Sequence, residues 1–175
     1  MRINLIGVSV LVAALLVIPA VRASGIDLHW LWHDRCAACH GHSADFSRKF
    51  LSVSGGTLQG HHHVHDLRRF LHTHYLAGHE VDAVYTMLLA QAGTPPRFQD
   101  ECSICHDTAV DLVRDSLQLR DGVLYSRNTG RPVRRIHEHH QELDRDDVEF
   151  FINVLTRVAY EIFRPQPPRK GDGRN

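Results

Sequence analysis

Cys36-Ala37-Ala38-Cys39-His40 and Cys102-Ser103-Ile104-Cys105-His106 contain every cysteine of the 175-residue chain. Two thiols three residues apart lie on one side of a helical turn. From there they can form thioethers with the two vinyl groups of a haem, and the next residue, a histidine, can turn its ring onto the iron. Three other chemistries compete for four cysteines. A Cys₄ zinc centre uses two C-x-x-C pairs but has no need of a His after each. A thioredoxin-like redox pair predicts one C-x-x-C at a strand–helix junction. Two disulfides would suit an exported chain. The His after each pair, and the use of every Cys, favour two haem c groups. They would be held through Cys36, Cys39, Cys102 and Cys105, with His40 and His106 as iron ligands.

Fifteen histidines are present, thirteen of them outside the two motifs. A second axial ligand is expected among them. His40 to His74 is 34 residues, and so is His106 to His140. No other downstream histidine of the first motif has a histidine counterpart after the second. Leu67, Phe70, Leu71 and His74 fall at i, i+3, i+4 and i+7, as do Val133, Ile136, His137 and His140. That spacing predicts a helical apolar stripe ending in each candidate. His74 and His140 are therefore the expected distal ligands, with His72, His79, His137 and His139 competing. Met87 can compete only at the first haem, because Val154 stands at its aligned position. The run His61-His62-His63-Val64-His65 has no counterpart in Arg127–Arg131, and reads as a polar loop with adventitious zinc or copper binding as the alternative. His29, His33 and His42 are expected to line or flank the first haem, and Trp30 and Trp32 to pack in the core and against it.

The match between the motifs extends along the chain. Arg48, Leu51, Gly56 and Leu58 align with Arg114, Leu117, Gly122 and Leu124 at the same 66-residue offset. Leu67-Arg68-Arg69-Phe70 aligns with Val133-Arg134-Arg135-Ile136. After a one-residue insertion, Val81, Val84, Tyr85 and Leu88 align with Val148, Phe151, Ile152 and Leu155. The expected organisation is a first haem module at 24–94, a second at 95–163, and a disordered Pro/Gly-rich tail at 164–175. Two copies of so long a unit indicate duplication rather than a solenoid.

These modules need elements that aim their ligands. Asp144 is an expected N-cap, followed by Asp146 and Asp147 in a first helical turn. Val148, Phe151, Ile152, Leu155, Val158, Ala159 and Ile162 then keep helical spacing. Residues 80–91 repeat the pattern until Gly93 and Pro95-Pro96. Helices starting near Asp27 and Pro96 should end in the C-x-x-C-H motifs. Gly55-Gly56 and Asp121-Gly122 mark turns. Only Leu117–Leu124 suggests a short strand, so the expected class is all-α, two tandem small cytochrome c-like helical haem modules. The modules have 71 and 69 residues, too few for an ample core without a bound group.

The N-terminus bears on location. After Arg2, residues 3–20 are apolar apart from Asn4 and Ser9, and Val21-Arg22-Ala23 fits a cleavage site. Residues 1–23 are expected to be a signal peptide, with a retained anchor as the alternative. Cleavage leaves 152 residues and removes two of 20 basic residues against 20 acidic ones, for a net charge of −2. No basic excess points to nucleic acid. No other stretch is apolar enough to span a bilayer.

At Cys36–His40 and Cys102–His106 the chain resembles the bacterial c-type cytochromes, in a dihaem form. No Pro-flanked Met follows either motif, a departure from the Met-ligated single-haem pattern. The resemblance implies haem binding, electron transfer and a periplasmic location. The expected function is an electron carrier with bis-His haems that exchanges electrons with redox partner proteins. The competing function is a peroxidase-like dihaem oxidoreductase with one open coordination site; a gas- or redox-sensing haem domain is a third reading.

Overall fold

A computed structural model describes residues 25–61, 65–138, 140 and 142–163. The expected signal peptide, the tail, His62–Val64 and His139 lie outside them. Most of the described chain is helical. The first half runs α1 (Leu28–Arg35), α2 (Ala37–His40), α3 (Ser43–Phe50), the hairpin β1 (Leu51–Ser54) and β2 (Thr57–Gly60), α4 (Arg68–Leu71) and α5 (His79–Ala92). The second runs α6 (Arg97–His106), α7 (Ala109–Ser116), the hairpin β3 (Leu117–Arg120) and β4 (Val123–Ser126), a 3₁₀ segment (Val133–Glu138) and α8 (Arg145–Ile162). From α3 through β2, each element of the first half recurs with the same bounds 66 residues later.

Local chemistry explains most of the boundaries. The Asp27 carboxylate accepts the backbone N–H groups of His29 and Trp30 at 2.9 and 3.1 Å, satisfying donors that the first turn of α1 leaves open. Asp144 and Asp147 exchange side-chain and backbone hydrogen bonds in a capping box that starts α8. Pro96 precedes α6, where its missing N–H costs nothing, and Gly93 ends α5.

The chain is mostly helical, as expected, with two small two-stranded hairpins added. Gly55-Gly56 have φ of 55° and 75°, and Asp121-Gly122 have 49° and 78°. Positive φ at both central residues is what a two-residue hairpin turn requires, because it matches the twist of the strands. Ser54 then faces Thr57, and Arg120 faces Val123. Each strand has four residues, too short for alternation in sequence to stand out.

Each half encloses its own core. Leu28, Leu58, Val81, Val84 and Leu88 are buried in one cluster. Val113, Leu124, Phe151, Leu155 and Ala159 are buried in the other. Leu58 and Leu124, on equivalent strands, are 0% and 3% exposed. The halves meet where Arg114 Nη2 donates to Asp27 at 2.9 Å and His29 Nε2 contacts Glu161 Oε2 at 2.9 Å. Among the described residues no helix is long and apolar enough to cross a membrane.

Candidate functional site

Each C-x-x-C-H closes a helical stretch. In the first half α1 ends at Arg35, Cys36 is the junction, and α2 carries the rest of the motif. In the second, α6 contains the whole motif. The chain then reverses through Gly41 at φ 67° and Asp107 at φ 47°, equivalent positions in left-handed conformation. The indole Nε1–H of Trp32 donates to the Gly41 carbonyl at 2.8 Å and pins that reversal. Phe46 packs edge-on against the His40 ring at 4.5 Å.

Neither distal candidate lies on the helical stripe that its spacing suggests. The helix α4 ends at Leu71, and His74 follows in a turn closed by Tyr75 at φ 60°. The second segment is 3₁₀ rather than α. One hydrogen-bonded turn is too short to propagate a helix unaided. The turn is nonetheless ordered: Phe70 stacks on the His74 ring at 4.5 Å. His140 has its backbone N–H on the Ile136 carbonyl at 3.0 Å, and Nδ1 lies 3.3 Å from the same oxygen. A carbonyl only accepts, so this contact needs the proton on Nδ1 and leaves the lone pair on Nε2.

The two motif histidines each meet a distal partner. The His40 and His74 ring centres are 6.0 Å apart, with ring planes at 59°. The His106 and His140 centres are also 6.0 Å apart, with planes at 34°. An imidazole nitrogen sits about 2.0 Å from a bound metal and its ring centre about 1.2 Å further, so two rings opposed across one metal lie about 6.4 Å apart. Both pairs come near that separation, and each pair forms within its own half of the chain. Burial and the neighbouring His74 lower the His40 pKa, favouring the neutral form that can ligate.

No known protein family, curated protein or solved structure matches the chain.

The walls around the first pair fit a haem. A cavity of about 510 Å³ holds Cys36, Cys39, His40 and His74 together, walled by Trp32, Phe46, Phe70, Leu71 and other apolar side chains. That is the size and composition of an ordinary cofactor site. The second groove is about 180 Å³ and is lined by His106, His140, Leu112, Leu117, Ile136 and the polar Thr129 and Arg131. Its cysteines are not in the lining, so the fit in the second half rests on the ring pair. None of the four thiols is in a disulfide. Burial pushes the Cys36 and Cys102 thiols up, so they stay protonated at neutral pH. Among the described residues no three His, Cys, Asp or Glu side chains gather into a metal site.

Other candidates fall elsewhere. Met87 is 1% exposed within the first core and does not line the groove. His72 and His79 are exposed and away from it. The side chain of His137 and the whole of His139 lie outside the described residues. His29, His33 and His42 do not line the first groove. His29 instead reaches across to Glu161, and His33 packs edge-on to Trp30 at 5.5 Å. Trp32 is buried as expected, but Trp30 is 58% exposed under the Arg114 guanidinium, 5.3 Å from its ring centre. The His29–Glu161 bridge was invisible to sequence reasoning, because its partners are 132 residues apart and neither sits in a motif.

Proposed function

We propose that this chain is a dihaem c-type cytochrome that carries electrons one at a time between redox partner proteins. The observation that carries this reading is the duplicated ring pair. A histidine 34 residues beyond each C-x-x-C-H faces the motif histidine at 6.0 Å, twice in one chain. A pairing made by chance has no reason to recur at equal spacing and equal separation.

Cys36 and Cys39 would hold one haem, and Cys102 and Cys105 the other. When bound, the iron supplies the one-electron chemistry. His40 and His106 would each supply one imidazole to an iron. His74 and His140 would supply the second, a ligand set that favours carriage over catalysis. The Ile136 carbonyl fixes the tautomer and angle of the His140 ring, the usual work of a partner to a metal-bound imidazole. Trp32, Phe46 and Phe70 wall the first groove and exclude water from it.

We read the halves as two copies of one haem module. The shared bounds of α3 to β2 support this, as do the matched turn conformations and the aligned core residues. The apolar leader at 1–23 supports export to the periplasm.

The test is the intact mass of the chain, secreted from a host that attaches haem to C-x-x-C-H motifs. The expected mature mass lacks residues 1–23 and gains two haem groups. Replacing Cys102 and Cys105 by Ala should remove one of the two. A mature mass with no added group contradicts the reading.

A further inference from the structure

The two ring pairs share a separation but not an orientation. The His40 and His74 planes cross at 59°, the His106 and His140 planes at 34°. The side chains around them differ as well. In the first half Phe46 packs edge-on to His40 at 4.5 Å. Trp32 lies against both rings, 6.1 Å from His40 and 5.5 Å from Phe46. Phe70 stacks on His74 at 4.5 Å, its plane 29° from the imidazole. The aligned residues of the second half, at the 66-residue offset, are Phe98, Leu112 and Ile136. Phe98 meets Phe151 at 6.5 Å instead, and Leu112 and Ile136 line the second groove without a ring. Among the described residues His106 and His140 have ring contacts only with each other, and the Ile136 carbonyl orients His140.

Ring orientation matters to a ferric iron. An imidazole donates π density to the iron d orbital that extends out of the ring plane. Two near-coplanar rings raise one d orbital and stabilise the ferric hole there. Crossed rings raise two orbitals alike, which widens the spread of the g values and disfavours the ferric state. Burial works in the same direction. The iron–porphyrin core carries a positive charge when ferric and none when ferrous, and an apolar wall disfavours the charged form. Among the described residues no Asp, Glu, Lys or Arg lines the first groove. Arg131 and Arg135 line the second and would favour reduction there, but both are exposed, where water and salt screen them.

We propose, resting on the dihaem reading, that the first haem takes the first electron from a donor protein. Trp32, Phe46 and Phe70 are the positioning residues, because they hold the His40 and His74 rings crossed in an apolar groove. One electron converts the first iron from ferric to ferrous, and the second iron stays ferric until another electron arrives.

A redox titration of the intact holoprotein followed by electron paramagnetic resonance tests it. The ferric protein should give two low-spin signals, and the one with the larger maximal g should vanish at the more positive potential. Phe46→Leu and Phe70→Ile install the residue types of the second half. Each should move that signal toward the other and make its midpoint more negative, with the other signal unmoved. Phe70→Tyr keeps a ring on His74 and should retain the original pattern. Phe70 is 37% exposed, so its replacement spares the buried core, and the titration of the unaltered protein needs no variant. One signal shared by both haems, earlier loss of the signal with the smaller maximal g, or a pattern unmoved in both variants overturns the proposal with the two haems still in place. An intact mass without haem overturns the dihaem reading along with it.

Discussion

His140 shows how a backbone carbonyl can orient one imidazole. Its Nδ1 faces a backbone carbonyl, so its lone pair is directed to the other nitrogen. His74 is prepared differently, by Phe70 stacked on its ring. Removing either ring should open the iron beneath it. In the reduced holoprotein, His140→Ala and His74→Ala should each create one carbon monoxide site per chain, read as a Soret difference absent from the wild type. The double variant should create two. An unchanged spectrum for His140→Ala would transfer the ligand role to a neighbour such as His137 or His139. The equal 34-residue spacing made the two ring pairings legible in sequence, because a duplicated position filters thirteen histidines down to one pair. Their local conformation was not legible. The i, i+3, i+4, i+7 pattern is consistent with a helix, but Tyr75 turns left-handed and α4 stops at Leu71.

Helix ends are set by short-range chemistry, and this is why α1, α5, α6 and α8 begin or end where Asp27, Gly93, Pro96 and Asp144 suggest. The hairpins are set by turn geometry and by packing against helices, neither of which leaves a long pattern in four-residue strands. Their glycines give a test. Gly56 and Gly122 hold the same place in the two hairpins, at φ 75° and 78°. A Cβ at Gly56 would meet nothing within 4 Å, whereas one at Gly122 would lie 3.3 Å from the Tyr160 hydroxyl on α8. Gly56→Ala should therefore cost about 1–2 kcal/mol, the strain of a left-handed alanine alone. Gly122→Ala should cost more, because Tyr160 must also move. Denaturant unfolding of both variants checks the order; equal losses would mean that the tyrosine yields freely.

Two small cores, each from one half of the chain, are bridged by Arg114–Asp27 and His29–Glu161. The recurrence of α3 to β2 at a 66-residue offset follows the sequence match, while the bridges were not legible. They join residues far apart in sequence, and no local pattern marks a surface His or Arg as an interface residue. The aromatic groove of the first half has a large share of its apolar surface facing a cavity rather than protein. A domain of this size has little core in reserve. Replacing all four cysteines by Ala should therefore leave a chain with weak far-UV circular dichroism and a broad melt. A native helical spectrum with a sharp melt would show that the fold does not depend on the attached groups.

The central claim is that two haems are each held between two histidines. The measurement that tests it most directly is a carbon monoxide difference spectrum of the dithionite-reduced holoprotein. Carbon monoxide binds ferrous haem only where the sixth position is empty or weakly held. The account predicts no spectral change, with His74 and His140 in place. A change amounting to one haem per chain would contradict it and would put an open, enzyme-like or sensor-like site in place of the carrier.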